Sequence, residues 1–165
     1  MRQVSLCFLI KEENGNITDI LLALKKKGFG LNKWNGVGGK PKIENGEDVL
    51  ASAFREVEEE IHVKIKNPEK MAVLDFYFPE ELKDKNWDQQ VHTYFVREWE
   101  GEPVETEEMA PRWFKVKEIP FDSMWSDDRF WVPLVLAGKK VRAIFHFDGK
   151  DELKKQDINV VEKFE

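Results

Sequence analysis

Residues 34–63 read WNGVGGKPKIENGEDVLASAFREVEEEIHV, a glycine-rich turn set directly ahead of a helical pattern that carries a run of glutamates. Val49, Leu50, Ala53, Phe54, Val57 and Ile61 recur at three- and four-residue spacing, so at about 100° per residue they fill one arc facing a core. Glu56 and Glu60 fall at one edge of that arc with Glu59 beside them, because residues three and four apart are neighbours on a helix surface. Three carboxylates therefore share one patch. Such crowding is repulsive unless a hard cation neutralises it, and oxygen-only ligands select Mg²⁺, Mn²⁺ or Ca²⁺ over softer metals. Mg²⁺ is the expected ion, with Mn²⁺ as the alternative. Arg55, four residues before Glu59, is placed to orient that carboxylate, whereas Glu58 projects to the opposite side and meets solvent. An arbitrary Glu-rich amphipathic helix is more often a solvated surface element. Here Gly36, Gly38 and Gly39 weigh against that, since they permit close ligand approach ahead of the helix and a solvated helix has no need of it.

Composition narrows the partners. A chain of 165 residues with 41% hydrophobic content fits one domain over residues 1–165 with a real core. The net charge of −6 argues against nonspecific nucleic-acid binding but is compatible with a small-molecule nucleotide carried on metal. Cys7 has no internal partner, and its apolar setting VSLCFLI reads as a buried structural thiol. No leader pattern begins the chain and no apolar stretch approaches the ~20 residues needed to cross a bilayer, so a cytoplasmic monomer without a membrane partner is expected.

Alternation predicts strands over residues 4–10 and 19–24, paired across a turn at 13–16, and further strands over 71–78, 91–99 and 112–116. The polar insert 79–90 reads as a rim loop. A second helix is expected within 120–137, its start marked by Ser126, Asp127 and Asp128, with Pro133 kinking or shortening it. Strands over 141–147 and 158–164 close the chain around a turn at 148–150. The fold class is α/β, a mixed sheet flanked by helices.

The acidic helix resembles the Nudix box, G-x5-E-x7-R-E-U-x-E-E-x-G-U with U aliphatic, through Gly39, Glu47, Arg55, Glu56, Val57, Glu59, Glu60 and Val63. It departs twice: seven residues separate Gly39 from Glu47, and His62 stands where glycine is usual. A longer loop costs little and leaves the helix untouched, while His62 demands a helix end made without glycine. The resemblance implies an α/β/α sandwich and metal-dependent hydrolysis of a nucleoside diphosphate linkage, with Glu56, Glu59, Glu60 and the Gly38 carbonyl holding metal. Residues 25–40 and 103–136 resemble the oxidised purine nucleoside triphosphatases of that family. This implies a base site at Asn35, Trp125, Asp127 and Asp128, with Phe29 as an apolar wall, and Lys25, Gly39 and Lys40 near the substrate. It also implies Ser5 at the base or sugar and Glu108 near the metal or water, while Glu105 and Glu107 read as solvated loop charges.

The residue types suit that role. Guanine presents donors and an acceptor on its pairing edge, which two acids sharing one proton can match; an Asn amide offers both groups, and a Trp face stacks on a base. Taken alone, SDD also reads as a helix cap, WNG as a tight turn and Phe29 as ordinary packing. The implied reaction gives a monophosphate and pyrophosphate from 8-oxo-dGTP or 2-hydroxy-dATP. Other nucleotides (an alkylated purine triphosphate, a dinucleoside polyphosphate, ADP-ribose) or a non-catalytic nucleotide-binding role stand as alternatives.

Overall fold

The computed structural model describes residues 1–80 and 87–164. The chain runs β1 (Arg2–Glu13), β2 (Asn16–Lys25), β3 (Trp34–Asn35), α1 (Val49–Ile61), β4 (Lys64–Lys66), β5 (Glu69–Tyr77), β6 (Gln89–Val96), β7 (Glu98–Glu100), β8 (Met109–Lys115), α2 (Asp128–Leu136), β9 (Lys140–Phe147) and β10 (Leu153–Val161). The mixed sheet has the order β10-β9-β5-β6-β1-β2-β3, with β8 also on β2, and β4 pairs with β7 apart from it. The β1/β6 and β5/β9 pairs are parallel.

Period-2 alternation in β1 and β2 explains the layering. Cys7, Leu9, Leu21 and Ala23 pack with Ala53, Val57 and Ile61 of α1 on one face. Phe8, Ile10, Ile20 and Leu22 pack with Trp131, Val132 and Val135 of α2 on the other. Strands apolar on both sides must be covered on both sides, and the result is the expected α/β/α sandwich. Each fully buried large side chain contributes roughly 1.5–3 kcal/mol, so these two clusters hold the sheet between its helices. The β1–β2 turn uses Asn14 and Gly15 at φ 54° and 80°, the left-handed pair that suits a two-residue hairpin.

The structure corrects several expectations. The buried face of α1 is Ser52, Ala53, Val57, Glu60 and Ile61, while Leu50 and Phe54 are 42% and 40% exposed. The helix is turned towards its glutamate flank, where Ser52 donates to the Val49 carbonyl (2.6 Å) and meets the Ser5 hydroxyl (3.3 Å) beneath the glycine segment. The expected strand 91–99 breaks at Arg97, whose side chain is held by Glu12 and Glu69, giving β6 and the separate β7. Helix α2 is shorter than 120–137: a 3-10 turn at Phe121–Ser123 and an extended Met124 come before it, and it continues three residues past Pro133. The last strand lies at Leu153–Val161 rather than 158–164, and the strand expected over 112–116 is Met109–Lys115. Of the rim-loop insert, residues 81–86 lie outside the described residues, and Gln89 and Gln90 already belong to β6.

Candidate active site

The glycine segment owes its composition to packing against protein. It lies on β1 through Ser5 N to Gly39 O (2.8 Å), Cys7 N to Val37 O (2.7 Å) and Val37 N to Cys7 O (2.8 Å). A Cβ at Gly36 would fall 2.7 Å from the Cys7 carbonyl, one at Gly38 would collide with the Ser5 carbonyl, and one at Gly39 would stand 2.5 Å from the Glu56 carboxyl carbon. The sequence reading assigned that space to a ligand; the β1 backbone and the Glu56 side chain fill it. The consequence is functional all the same, because Gly39 lets Glu56 fold down beside the strand.

Arg55 organises the outer glutamates. Its guanidinium donates to Glu47 (2.7 and 2.8 Å), Glu56 (3.0 Å), Glu59 (3.0 Å) and the Lys40 carbonyl (3.0 Å). Charge-assisted bonds of this kind are strong, and the Arg55 hydrogen bond holds Glu47 down to about 2, helped by the Lys42 N–H. The expected Arg55–Glu59 pair is therefore present, within a wider network. Glu59 is drawn outward by it, to 53% exposure, and Glu58 lies 4.0 Å from Lys64 at the surface. The three carboxylates still face one cleft, but among the described residues no three His, Cys, Asp or Glu side chains are drawn together closely enough to hold a metal ion as they stand. The C-cap is resolved as well. His62 itself takes the left-handed conformation, φ 62°, with its N–H on the Glu58 carbonyl.

Glu60 behaves differently from its neighbours. It is buried, with Oε2 lacking a hydrogen-bond partner among the described residues. Burial, then the facing Glu56 charge, push it up to about 8, against the opposing pull of Lys25. An orphaned buried carboxylate oxygen beside a second carboxylate is a donor set that a hard divalent cation satisfies, and all the donors are oxygen. Glu56, Glu59, Glu60 and Glu108 line one cleft of about 460 Å³ together with Arg55 and Thr106. Thr106, which the sequence reading passed over, donates to the Glu60 carbonyl (2.9 Å) and accepts from Glu108 N (3.3 Å), tying the Glu108 loop to the end of α1. Glu105 is an exposed loop charge that pairs with Lys26 at 2.6 Å, while Glu107 is exposed and reaches the cleft rim.

Glu56 and Glu60 also line a second cavity of about 480 Å³, which runs from them across the end of the sheet to α2. Its walls bring together Ser5, Lys25, Phe29, Asn35, Gly38, Gly39, Lys40, Trp125, Asp127 and Asp128, all expected at the substrate, from β1, the stretch 25–40 and the start of α2. It adds Arg2, Lys33, Phe78 and Gln89, which no local pattern singled out. Lys40 is lowered by burial first and then by the charges of Arg2 and Lys25, so these cations gather at the Glu56 end. The Ser5 hydroxyl is engaged with the Gly39 backbone (3.2 Å) and Ser52, which makes it a support for the glycine segment. Asn35 Oδ1 accepts from Gly36 N (2.8 Å), which leaves its NH₂ as the group to offer.

At the far end, Asp127 and Asp128 are buried, and neither acts as the cap that SDD suggests: the Asp127 side chain makes no cap bond and accepts from Trp131 Nε1 at 2.8 Å. Asp127 Oδ1 and Asp128 Oδ2 have no hydrogen-bond partner among the described residues. Burial raises Asp127 to about 6, and burial together with the adjoining Asp127 charge raises Asp128 well above the usual carboxylate range. Two buried acids raised in this way are suited to share a proton, and a pair that shares one can present a donor and acceptors to one ligand edge. Trp125 stands beside it, 5.1 Å from Phe29, with the Lys33 ammonium 5.0 Å over its ring. Cys7 plays no part, being buried and pushed up to about 12 by desolvation.

A NUDIX domain model matches residues 1–135. The chain belongs to the Nudix family. It is 39% identical over 145 residues, covering 87% of this chain and 88% of the relative, to the oxidized purine nucleoside triphosphate hydrolase of Danio rerio. It is 37% identical over 147 residues to the Mus musculus protein of that name, covering 88% and 89%. The MutT protein from Bacillus halodurans superposes with a TM-score of 0.78 at 24% identity, covering 96% of this chain and 98% of that one, which shows the shared Nudix fold. Nudix hydrolases act on small nucleotide substrates with a divalent metal, and no helix among the described residues of this one is long and apolar enough to cross a membrane.

Proposed function

We propose that this protein is a Mg²⁺-dependent pyrophosphohydrolase of oxidised purine nucleoside triphosphates, 8-oxo-dGTP and 2-hydroxy-dATP. In this reading it acts as a cytoplasmic monomer that cleanses the nucleotide pool. The observation that carries the proposal is the one continuous cavity, with a proton-sharing acid pair at one end and an orphaned glutamate oxygen at the other. The names of the two vertebrate relatives support the substrate class.

The base enters beside Trp125 and Phe29, where ring stacking contributes roughly 1–3 kcal/mol. Asp127 and Asp128 read its edge with a shared proton, and the Asn35 NH₂ adds a donor. Arg2, Lys25 and Lys40 draw the triphosphate towards α1. Glu56 and Glu60 would hold the metal, with Glu59, Glu108 and the Gly38 carbonyl as further ligands. Bound there, the ion would supply Lewis acidity and would lower the pKa of a water. Attack of a water on the triphosphate forms a new P–O bond as the link between the α- and β-phosphoryl groups breaks. One glutamate of the cleft takes the proton, and pyrophosphate leaves. Crowded carboxylates titrate together, so the base belongs to the cleft as a unit. Comparing kcat/KM for 8-oxo-dGTP, 2-hydroxy-dATP, O6-methyl-dGTP, a dinucleoside polyphosphate and ADP-ribose tests the proposal, which requires the oxidised purines to rank first. A preference for ADP-ribose would overturn it.

A further inference from the structure

Phe29 is the least secured part of the base site. It sits in the β2–β3 loop, where Gly28, Gly30 and Asn32 have φ of 82°, 84° and 64°, and the loop closes on itself through Asn32 N to Lys25 O (2.9 Å) and Lys33 N to Gly30 O (3.0 Å). The ring is 43% exposed. Its contacts with other rings are Trp125 at 5.1 Å, Phe78 at 6.1 Å and Trp87 at 5.1 Å, centroid to centroid. Trp125 and Phe78 line the cavity, whereas Trp87 stands behind them, edge-on to Phe78 at 5.9 Å. Trp87 comes from the polar stretch between β5 and β6, which no part of the proposed chemistry has used.

We infer that Trp87 is a positioning residue for base binding: it backs Phe29 against Trp125 and so fixes the aperture through which the purine is stacked. The inference rests on the substrate class proposed above. Trp87 and Trp125 are the two rings nearest Phe29, each at 5.1 Å, and ring pairs at these separations are attractive beyond their buried area. Without Trp87, Phe29 loses one of its two nearest ring contacts and holds the wall of the base site less firmly. Among the described residues Trp87 lines neither the glutamate cleft nor the cavity that holds the acid pair, so its effect falls on substrate affinity and not on the chemical step.

The test is a double-mutant cycle read as kcat and KM separately. Trp87→Ala raises KM for 8-oxo-dGTP about 3- to 10-fold, with kcat held within about twofold. Trp87→Phe restores most of the loss. Phe29→Ala raises KM at least as much, and adding Trp87→Ala to it costs little more, since the supported ring is already gone. Thermal midpoints of all four proteins show that each folds. An unchanged KM in Trp87→Ala, a loss confined to kcat, or penalties that multiply in the double variant would overturn the role of Trp87 while leaving the substrate proposal standing. A folded wild-type protein inert toward every purine nucleotide would overturn both.

Discussion

Two pairs of acids face the same cavity, and the protein uses them oppositely. Asp127 and Asp128 lie at the start of α2, beside Trp125 and Trp131, with no cation among their partners in the described residues. Glu56 and Glu60 lie on α1 at the glycine segment, with Lys25 and Lys40 facing them and Arg55 fixing Glu56 from outside. Burial raises both aspartates and, in the second pair, Glu60, but it is the second pair that lines the polar cleft, where a divalent ion can balance the carboxylates. A buried acid thus becomes a base reader or a metal ligand according to what surrounds it.

The contrast is sharpest in turnover. Glu60→Gln removes a charge that the cleft needs and is expected to lower kcat roughly 10³-fold or more, with the fold intact by circular dichroism. Glu59→Gln should cost less, because Arg55 draws that side chain outward. Equal losses at both positions would erase the distinction between inner and outer glutamates.

At the other pair the expected loss is smaller and falls on recognition. Asp128→Ala leaves a base edge unpaired and should lower kcat/KM for 8-oxo-dGTP about 100-fold, mostly through KM, as substrate titration would show. A pure kcat effect would place Asp128 in the chemistry instead.

The acid pair also sets a pH dependence of stability. Asp127 is raised from an ordinary 3.8 to about 6, so between those values the folded state binds more protons than the unfolded one. Its stabilisation is complete below about pH 4 and is lost as pH rises through about 6. Asp127→Asn should flatten that slope in urea melts taken from pH 4 to 7. A slope that persists in the variant would point to other groups, such as Glu60, as its origin.

The smallest expected effect lies outside both pairs. His62 holds a left-handed φ of 62° without the freedom of glycine. His62→Gly should stabilise the helix end by about 0.5–1 kcal/mol, raising Tm by a few degrees without altering kcat. A fall in kcat would show that His62, which lines the glutamate cleft, has a part there.

Much of this was legible in the chain itself. Alternation in β1, β2 and β9 and the helical spacing of α1 declare themselves locally, because covered strands and amphipathic helices carry their own periods. The acid pair and Asn35 were marked by residue type and by likeness to the family. The rotation of α1 was not legible: Leu50 and Phe54 fit the apolar arc, but the contacts that turn the helix come from Ser5 and Gly39, far away in sequence. The short strands β3, β4 and β7 carry too few residues to show a period. Arg2, Thr106 and Trp87 matter only through neighbours brought near by folding, and a single chain gives no local sign of that.

The central claim is that one cavity joins a proton-sharing base reader to a metal-binding phosphate end. It is tested most directly by giving the purified protein 8-oxo-dGTP or dGTP, with Mg²⁺ or with EDTA, and measuring both products. The account requires equal amounts of 8-oxo-dGMP and pyrophosphate, dependence on Mg²⁺, and a clear preference over dGTP. Release of inorganic phosphate in place of pyrophosphate, or undiminished turnover in EDTA, would contradict it.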